Sequence, residues 1–168
     1  AAEKNAEKHA EKKIKIGIST ALTGDASTFG IDEKNALLFG LERLFPGEYE
    51  TIIEDDRCDP KIAASVAQKF SVINKVDLVF ASPCSSGVMA SAPIYEKAKI
   101  PVMVVCASAK TVSKAGDYVF RTWPSDDKAA ALLAAHLANK DGLLAILSEE
   151  NEYPQGLEHD FLAALPKD

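Results

Sequence analysis

The chain has 168 residues, of which 47% are hydrophobic and 26% are charged, as expected for about one soluble globular domain. These values exclude a disordered tail, a collagen-like fibre and a small scaffold held together by disulfides alone. The 19 Lys and Arg residues and 25 Asp and Glu residues give a net charge of −6, and the basic residues are scattered. Because phosphate and anionic lipid require concentrated positive charge, we expect neither nucleic acid nor a membrane surface as a partner.

Residues 1–13 are a loose repeat of Ala, Glu and Lys. These residue types favour a helix, but the segment has no apolar stripe that could pack against a core. We interpret it as a solvated tether or an added extension. No signal peptide is visible, and a mature chain that had already lost one would look the same.

From Ile14 onwards, strand patterns and helix patterns alternate. The predicted strands are rich in β-branched or apolar residues, and they are Ile14–Leu22, Tyr49–Glu54, Val76–Ala81, Ile100–Cys106, Tyr118–Arg121 and Gly142–Leu147. The predicted helices are Ile31–Phe45, a helix from Pro60 to Asn74 capped by Asp59, a helix from Ser85 or Ser86 to Lys99, a turn at Thr111–Ala115, Ser125–Lys140 and Pro154–Leu165.

Strands separated by helices of this length indicate βαβ units. We therefore predict an α/β fold with a doubly wound, mostly parallel sheet. In such sheets a ligand lies beyond the carboxyl ends of the strands, near the point where the strand order reverses. The candidate loops are residues 23–30, 55–60, 82–87, 106–111 and 148–154.

Two of these loops carry hydroxyl groups. Ser85, Ser86 and Gly87 place hydroxyls and free amides at a predicted helix N-terminus, which is suited to an anion, although one serine could simply cap the helix. The loop from Cys106 to Ala109 offers the Ser108 hydroxyl beside small residues, and a tight turn chosen for packing explains it equally well.

Other chemistries find no support in the sequence. The acidic residues from Glu54 to Asp59 lack the spacing of a phosphoacceptor or a calcium loop, so we interpret them as a solvated loop. No nucleotide-binding glycine motif, nucleophile elbow or zinc spacing is present, and we expect no metal, no cofactor and no catalytic constellation.

Five segments together resemble one family. They are IKIGISTALTGDASTFG, EDDRCDPKIAASVAQKF, PCSSGVMASAPIYEKAKIPVMV, YVFRTWPSDDKAAA and EYPQGL, and their order and spacing are similar to the type I periplasmic solute-binding proteins. Within that family they resemble the leucine/isoleucine/valine-binding receptors of ABC transporters. The resemblance runs from about Ile14 to Leu165.

The resemblance implies a non-catalytic receptor that closes on an amino acid, and it implies roles for single residues. Ser85 and Ser108 hold the ligand carboxylate with the amides near Ser86, and Cys106 supplies a backbone group. Phe29 and Tyr153 are the aromatic residues of the first and last candidate loops. The family's cysteine pair falls on Cys58 and Cys84, which leaves Cys106 free.

The resemblance also implies an organisation into two lobes. We expect an N-terminal α/β lobe over residues 14–123 and the hinge and incomplete start of a similar lobe over residues 124–168, with the crossing at Trp123-Pro124-Ser125. The expected ligand is a branched-chain or similar small aliphatic amino acid or a related amide, and the expected partner is a transporter permease. We expect a periplasmic or extracellular location, with lipid anchoring left open.

The sequence leaves two other functions open. One is a ligand-sensing receptor ectodomain on the same fold, and the other is a flavodoxin-like or hydrolase-like enzyme. Because the strand at Gly142–Leu147 and the apolar face of residues 129–138 would lack partners, we also expect this chain to self-associate as a dimer and to bind amino acids poorly by itself.

Overall fold

The structure is a computed structural model that describes residues 12–166. Most of the segment that we interpret as a tether lies outside the described residues. The strands are β1 (Ile14–Thr20), β2 (Tyr49–Asp55), β3 (Leu78–Ala81), β4 (Val102–Val104) and β5 (Val119–Arg121). The helices are α1 (Ser27–Leu44), α2 (Pro60–Gln68), α3 (Ser85–Ala98), α4 (Asp126–Leu137) and α5 (Glu152–Ala164).

The strands form one parallel sheet in the order β2-β1-β3-β4-β5. The crossovers run outward from β1 in both directions, so the strand order reverses between β1 and β3. Ile16 of β1 pairs with Leu78 of β3, and Ile14 pairs with Tyr49 of β2. This arrangement confirms the predicted α/β class, and it places the candidate loops that follow β1, β2, β3 and β4 at one edge of the sheet.

The main hydrophobic core lies between this sheet and the helices α2 and α3. Phe70 and Tyr95 are its largest fully buried side chains, and they pack with valines of β3 and β4. Gly17 of β1 lies directly beneath the Phe70 ring, because a Cβ atom there would come within 2.7 Å of the ring carbons. A side chain at position 17 would therefore displace Phe70.

The start of α2 agrees with the sequence. The Asp59 carboxylate accepts hydrogen bonds from the amides of Lys61 and Ile62 at 2.8 and 3.0 Å, and Pro60 follows at the first helical position. The predicted single helix to Asn74 continues past Gln68 as a π-helical turn over Lys69–Asn74. A 3₁₀-helix over Lys110–Lys114 corresponds to the predicted helical turn.

A second, smaller cluster joins α4 to α5. Phe161 of α5 covers Ala130 and Ala134 of α4, so that part of the apolar face of α4 has a partner. Leu132 and Leu133 remain exposed.

The strand predicted at Gly142–Leu147 does not form. Residues 142–147 have no regular secondary structure, and all of them are exposed. An apolar segment becomes a strand only when a neighbouring strand takes up its backbone hydrogen bonds. The five strands of the sheet lie elsewhere, and no strand in the described residues pairs with this segment.

Candidate functional site

The acidic loop after β2 stabilises the neighbouring loop after β1 through hydrogen bonds. Asp56 is fully buried, where it accepts hydrogen bonds from the Ser19 hydroxyl at 2.8 Å and from the Cys58 amide at 3.0 Å. Asp55 accepts hydrogen bonds from the Leu22 amide at 2.8 Å and the Thr23 hydroxyl at 2.6 Å. The interpretation of a solvated loop is therefore wrong, because these carboxylates serve as structural acceptors.

The hydrogen bonds to Asp55 change its acidity. Partial burial on its own would raise the pKa of this carboxyl, but the donors from Thr23, Leu22 and Arg57 outweigh it and hold the pKa below its usual value. Two consecutive non-glycine residues in this loop, Arg57 and Cys58, have φ of 54° and 59°. The carboxylates of Asp55 and Asp56 accept their amides and so stabilise this left-handed backbone.

A disulfide joins this loop to the start of α3. Cys58 and Cys84 are bonded with their Cα atoms 5.5 Å apart, and Cys106 is free, as the resemblance implied. Burial, and then the nearby Glu33 carboxyl, raise the pKa of the Cys106 thiol above its usual value. Since Cys84 is the N-cap residue of α3, the disulfide anchors the helix end that carries Ser85.

The N-terminus of α3 has no side-chain cap. The possibility that Ser85 or Ser86 caps this helix is wrong, because Cys84 occupies the N-cap position and no side chain bonds the first-turn amides. Ser85 is only 7% exposed, and its Oγ accepts the Ala109 amide at 3.1 Å. The hydroxyl proton of Ser85 therefore remains available as a donor, beside helix amides that favour an anion.

A second polar cluster is formed by Ser108, Asp126 and Tyr153. These residues come from three places in the chain: the loop after β4, the first turn of α4 and the first turn of α5. The Ser108 hydroxyl donates to Asp126 Oδ2 at 2.6 Å, and the Tyr153 hydroxyl donates to the same oxygen at 2.8 Å. Contact with Ser108 lowers the pKa of the Tyr153 phenol, but burial and the Asp126 carboxylate together raise it above its usual value.

Residues of both polar regions, the N-terminus of α3 and the cluster of Ser108, Asp126 and Tyr153, line one cavity of about 200 Å³. Ser85, Ser86 and the loop from Ala109 to Thr111 line one side. The other side is lined by Asp126 of α4 and by residues of α5, namely Tyr153, Gly156, Leu157, His159 and Asp160. The cavity lining thus combines serine hydroxyls at the N-terminus of α3 with the carboxylates of Asp126 and Asp160 and the ammonium group of Lys110.

The cavity includes some of the predicted site residues and not others. Ser85, Ser86 and Tyr153 line it. Ser108 is not a lining residue, but its hydroxyl contacts Asp126 and Tyr153, which are. Cys106 and Phe29 are not among its lining residues, and Phe29, in the first turn of α1, is 71% exposed.

Asp126 also lines the cavity, but it was not predicted from the sequence. It lies in the loop and first helical turn that follow β5, and this was the one strand end that was left out of the candidate loops. An acidic residue at the start of a helix that follows a parallel strand was the signal. The fully buried acidic residue of the site region, Asp56, is in contrast a structural group.

Residues 12–166 contain no group of three or more His, Cys, Asp or Glu side chains arranged to hold a metal ion. None of the described helices combines the length and the apolar character needed to cross a membrane.

The fold that carries this cavity has known relatives. The profile of the family described as "Periplasmic binding protein" matches residues 13–167, which is nearly the whole chain. This chain belongs to that family.

Two curated relatives show the range of similarity. A leucine-, isoleucine-, valine-, threonine- and alanine-binding protein of Pseudomonas aeruginosa is 29% identical over 154 residues, which cover 86% of this chain and 41% of the relative. A leucine-specific-binding protein of Salmonella typhimurium is 28% identical over 153 residues, with coverage of 86% and 41%. The chain therefore spans less than half the length of these relatives.

Solved structures show the same fold. A leucine-binding protein from Thermotoga maritima superposes with a TM-score of 0.78 at 22% identity, covering 90% of this chain and 45% of that protein. A solute-binding protein of an ABC transporter from Rhodopseudomonas palustris, in complex with 3,4-dihydroxybenzoic acid, gives a TM-score of 0.79 at 21% identity, with coverage of 90% and 44%.

Proposed function

We propose that this chain forms one wall and part of the opposite wall of an amino-acid binding cleft in a transporter receptor, and that it captures its ligand without catalysis. The observation that carries this proposal is the pairing of opposite polarities across one cavity. The uncapped N-terminus of α3, with Ser85 and Ser86, suits a carboxylate, and Asp126 suits an ammonium group. An α-amino acid carries both groups on the same carbon atom.

The Asp126 carboxylate can accept a further hydrogen bond from such a ligand. Among the described residues, only its Oδ2 accepts hydrogen bonds, from Ser108 and Tyr153, which hold the carboxylate in place. Its Oδ1 is left for a donor in the cavity. In this proposal Asp126 contributes a carboxylate oxygen to the ammonium group of the ligand. In this proposal Ser108 orients the Asp126 side chain and also lies beside the carboxylate of the ligand.

The ligand that we propose is a branched-chain or similar small aliphatic amino acid. The two curated relatives described above carry the names of such ligands, and a cavity of about 200 Å³ matches a molecule of that size. The remaining partners follow from the same proposal. They are a permease of an ABC transporter and, for the chain by itself, a second copy that covers its exposed apolar segment at residues 143–147.

The disulfide supports an oxidising location for this receptor, either periplasmic or extracellular. A bond between Cys58 and Cys84 persists where thiols are not kept reduced. In the proposed organisation residues 14–123 form the first lobe and residues 124–168 begin the second.

The proposal is tested by NMR titration of the 168-residue chain, which detects weak binding. We expect L-leucine to shift the amides of Ser85, Ser86 and Gly87 at millimolar concentration, since part of the cleft is supplied by residues beyond this chain. L-leucinamide lacks the carboxylate and 4-methylpentanoate lacks the ammonium group, so each should bind about ten-fold or more weakly.

Asp126→Asn provides the matched variant. It should weaken L-leucine and leave 4-methylpentanoate unchanged, because only the amino acid carries an ammonium group. Equal affinity for L-leucine and its amide would contradict the carboxylate site, and an absence of shifts with L-leucine would contradict the proposal as a whole.

A further inference from the structure

The two hydrophobic clusters meet across the cavity mainly through polar contacts. The main core, around Phe70 and Tyr95, shares no buried residue with the smaller cluster of Ala130, Ala134 and Phe161. Helix α5 packs chiefly on α4, and it also touches α3. Polar contacts between α5 and the loop after β4 therefore help to fix the position of α5.

One of these contacts is an ion pair. Lys110 Nζ, from the loop after β4, lies 3.5 Å from Asp160 Oδ1 of α5, and both residues line the cavity. The Asp160 side chain is 14% exposed and that of Lys110 is 56% exposed. Every other ion pair within residues 12–166 joins residues on the same side of the cavity.

A second carboxylate also lies near Lys110. Asp127, in the first turn of α4, is a second acidic neighbour of the same ammonium group. Lys110 thus faces carboxylates on both helices of the smaller cluster. On the other side of the pair, His159 Nδ1 of the same helix lies 3.6 Å from Asp160 Oδ1.

We propose that Lys110 and Asp160 form a latch that holds the cavity closed, and that Lys110 is a positioning residue that slows release of the ligand. This inference rests on the proposed function only for its effect on the ligand. The pair exists only while α5 lies against the loop after β4. It therefore stabilises the closed arrangement relative to an open one, and a bound ligand leaves only after the two charges separate.

The first experiment needs no ligand. Hydrogen exchange of the α5 amides is compared in the wild-type chain, Lys110→Met, Asp160→Asn and the double variant. We expect about three- to five-fold faster exchange in α5 for each single variant, with no further increase in the double variant, because both changes break the same pair. Exchange in β1 and β3 should not change.

Lys69→Met is the matched control. Lys69 Nζ forms an ion pair with Glu54 Oε1 at 2.6 Å, entirely on the main-core side of the cavity. It should therefore leave α5 exchange unchanged. If Lys110→Met and Asp160→Asn also leave it unchanged, the latch is overturned, whether or not the chain binds an amino acid.

The second experiment measures the ligand effect with L-leucine as the probe. Each single variant should raise the dissociation constant about three- to five-fold and the dissociation rate in proportion, while Lys69→Met does neither. Added salt should weaken binding by the wild type and have less effect on Lys110→Met.

The outcomes separate the two proposals. Leucine binding with an unaltered dissociation rate in both single variants overturns the latch and leaves the proposed function standing. Altered α5 exchange in a chain that shows no response to leucine overturns the proposed function, and it retains the ion pair as the contact that holds α5 in place.

Discussion

Ser85 combines two hydrogen-bonding roles in one hydroxyl. Its oxygen accepts the Ala109 amide, which holds the loop after β4 against α3, and the residue lines the cavity. In the proposed function Ser85 therefore both shapes the site and donates its proton to the ligand carboxylate. In a serine that only capped its helix, the hydroxyl oxygen would accept hydrogen bonds from the first amides of α3.

The first prediction concerns Ser85. In the proposed two-lobed receptor, Ser85→Ala should weaken amino-acid binding about 10- to 100-fold, because a charge-assisted hydrogen bond is lost and the Ala109 amide loses its acceptor. Titration calorimetry measures this effect. Ser85→Thr keeps the hydroxyl and should recover much of the affinity. Ser65→Ala, which removes an exposed hydroxyl on α2, should have no effect.

A serine variant that binds as tightly as the wild type would remove Ser85 from the site. A loss of affinity accompanied by an equal loss for the uncharged amide ligand would show that the hydroxyl acts only by shaping the loop.

Glu33 is the buried carboxyl whose acidity differs most clearly from its usual value. It is 7% exposed, its Oε2 accepts the Thr20 hydroxyl at 2.8 Å, and its Oε1 has no partner among the described residues. Burial raises its pKa from 4.5 to about 7. The hydrogen bond from Thr20 opposes this shift and the Asp56 charge adds to it.

The second prediction follows from this pKa. The folded chain binds the Glu33 proton more tightly than the unfolded chain, so the contribution of Glu33 to stability is complete below about pH 4.5 and is lost as the pH rises through 7. Glu33→Gln removes the ionisable group. We expect it to be more stable than the wild type at pH 8 by about 1–3 kcal/mol, and close to the wild type at pH 4.5.

Urea unfolding at the two pH values measures the difference, and Glu42→Gln, an exposed carboxyl on the same helix, serves as the control. A difference between Glu33→Gln and the wild type that is the same at both pH values would show that Glu33 does not titrate as described.

At the scale of single elements, the disulfide is the strongest constraint on the site. It fixes the left-handed loop after β2 to the N-cap of α3, and the two cysteines are separated by 26 positions in the chain. The elements that it connects both border the edge of the sheet where the cavity lies. A covalent link there limits how far the carboxylate end of the site can move.

The third prediction is that Cys58→Ser/Cys84→Ser destabilises the chain by about 3–4 kcal/mol, since a closed loop of this size restricts the unfolded chain. Urea unfolding measures the loss, and Cys106→Ser, which removes the free thiol, should cost far less. Alkylation of the unfolded protein without a reductant should label one thiol. Three labelled thiols in freshly prepared protein would contradict the bond.

The sequence predicts these elements unevenly, for physical reasons. Signals that act over a few residues are reliable: Asp59 followed by Pro60 defines the start of α2, and alternating strands and helices define the parallel sheet. The segment 142–147 looks like a strand, but a strand also needs a partner that no local pattern supplies.

The site shows the same division. The hydroxyls after β3 and β4 could be found, because parallel strands bring their carboxyl ends together. The sequence alone does not distinguish Asp126 from other acidic residues. Its carboxylate is held by Ser108 and Tyr153, which lie 18 and 27 positions away along the chain and approach it only in the folded structure. Asp56 was taken for a solvated residue because its acceptor role depends on Ser19 of another strand.

For the molecule as a whole, the distribution of apolar surface is uneven. The main core is well covered, whereas the part of the chain after α4 exposes Leu143 and Leu147 completely and Leu144 and Ile146 to nearly half. Contiguous apolar surface of this kind normally marks an interface. In relatives of about twice this length, further chain is present that could cover it.

The fourth prediction is that the 168-residue chain self-associates through residues 143–147. Two copies of this segment can pair their backbone groups and bury their leucines, and a two-fold arrangement satisfies both at once. Light scattering after size exclusion, at several concentrations, should show a mass that rises towards twice that of the monomer. Leu143→Ser/Leu147→Ser should restore the monomer, whereas Leu44→Ser, an exposed leucine on α1, should not. The same association should accompany weak amino-acid binding, because in the proposed function this chain forms only part of the cleft. A monomer that binds L-leucine tightly at every concentration would contradict both expectations.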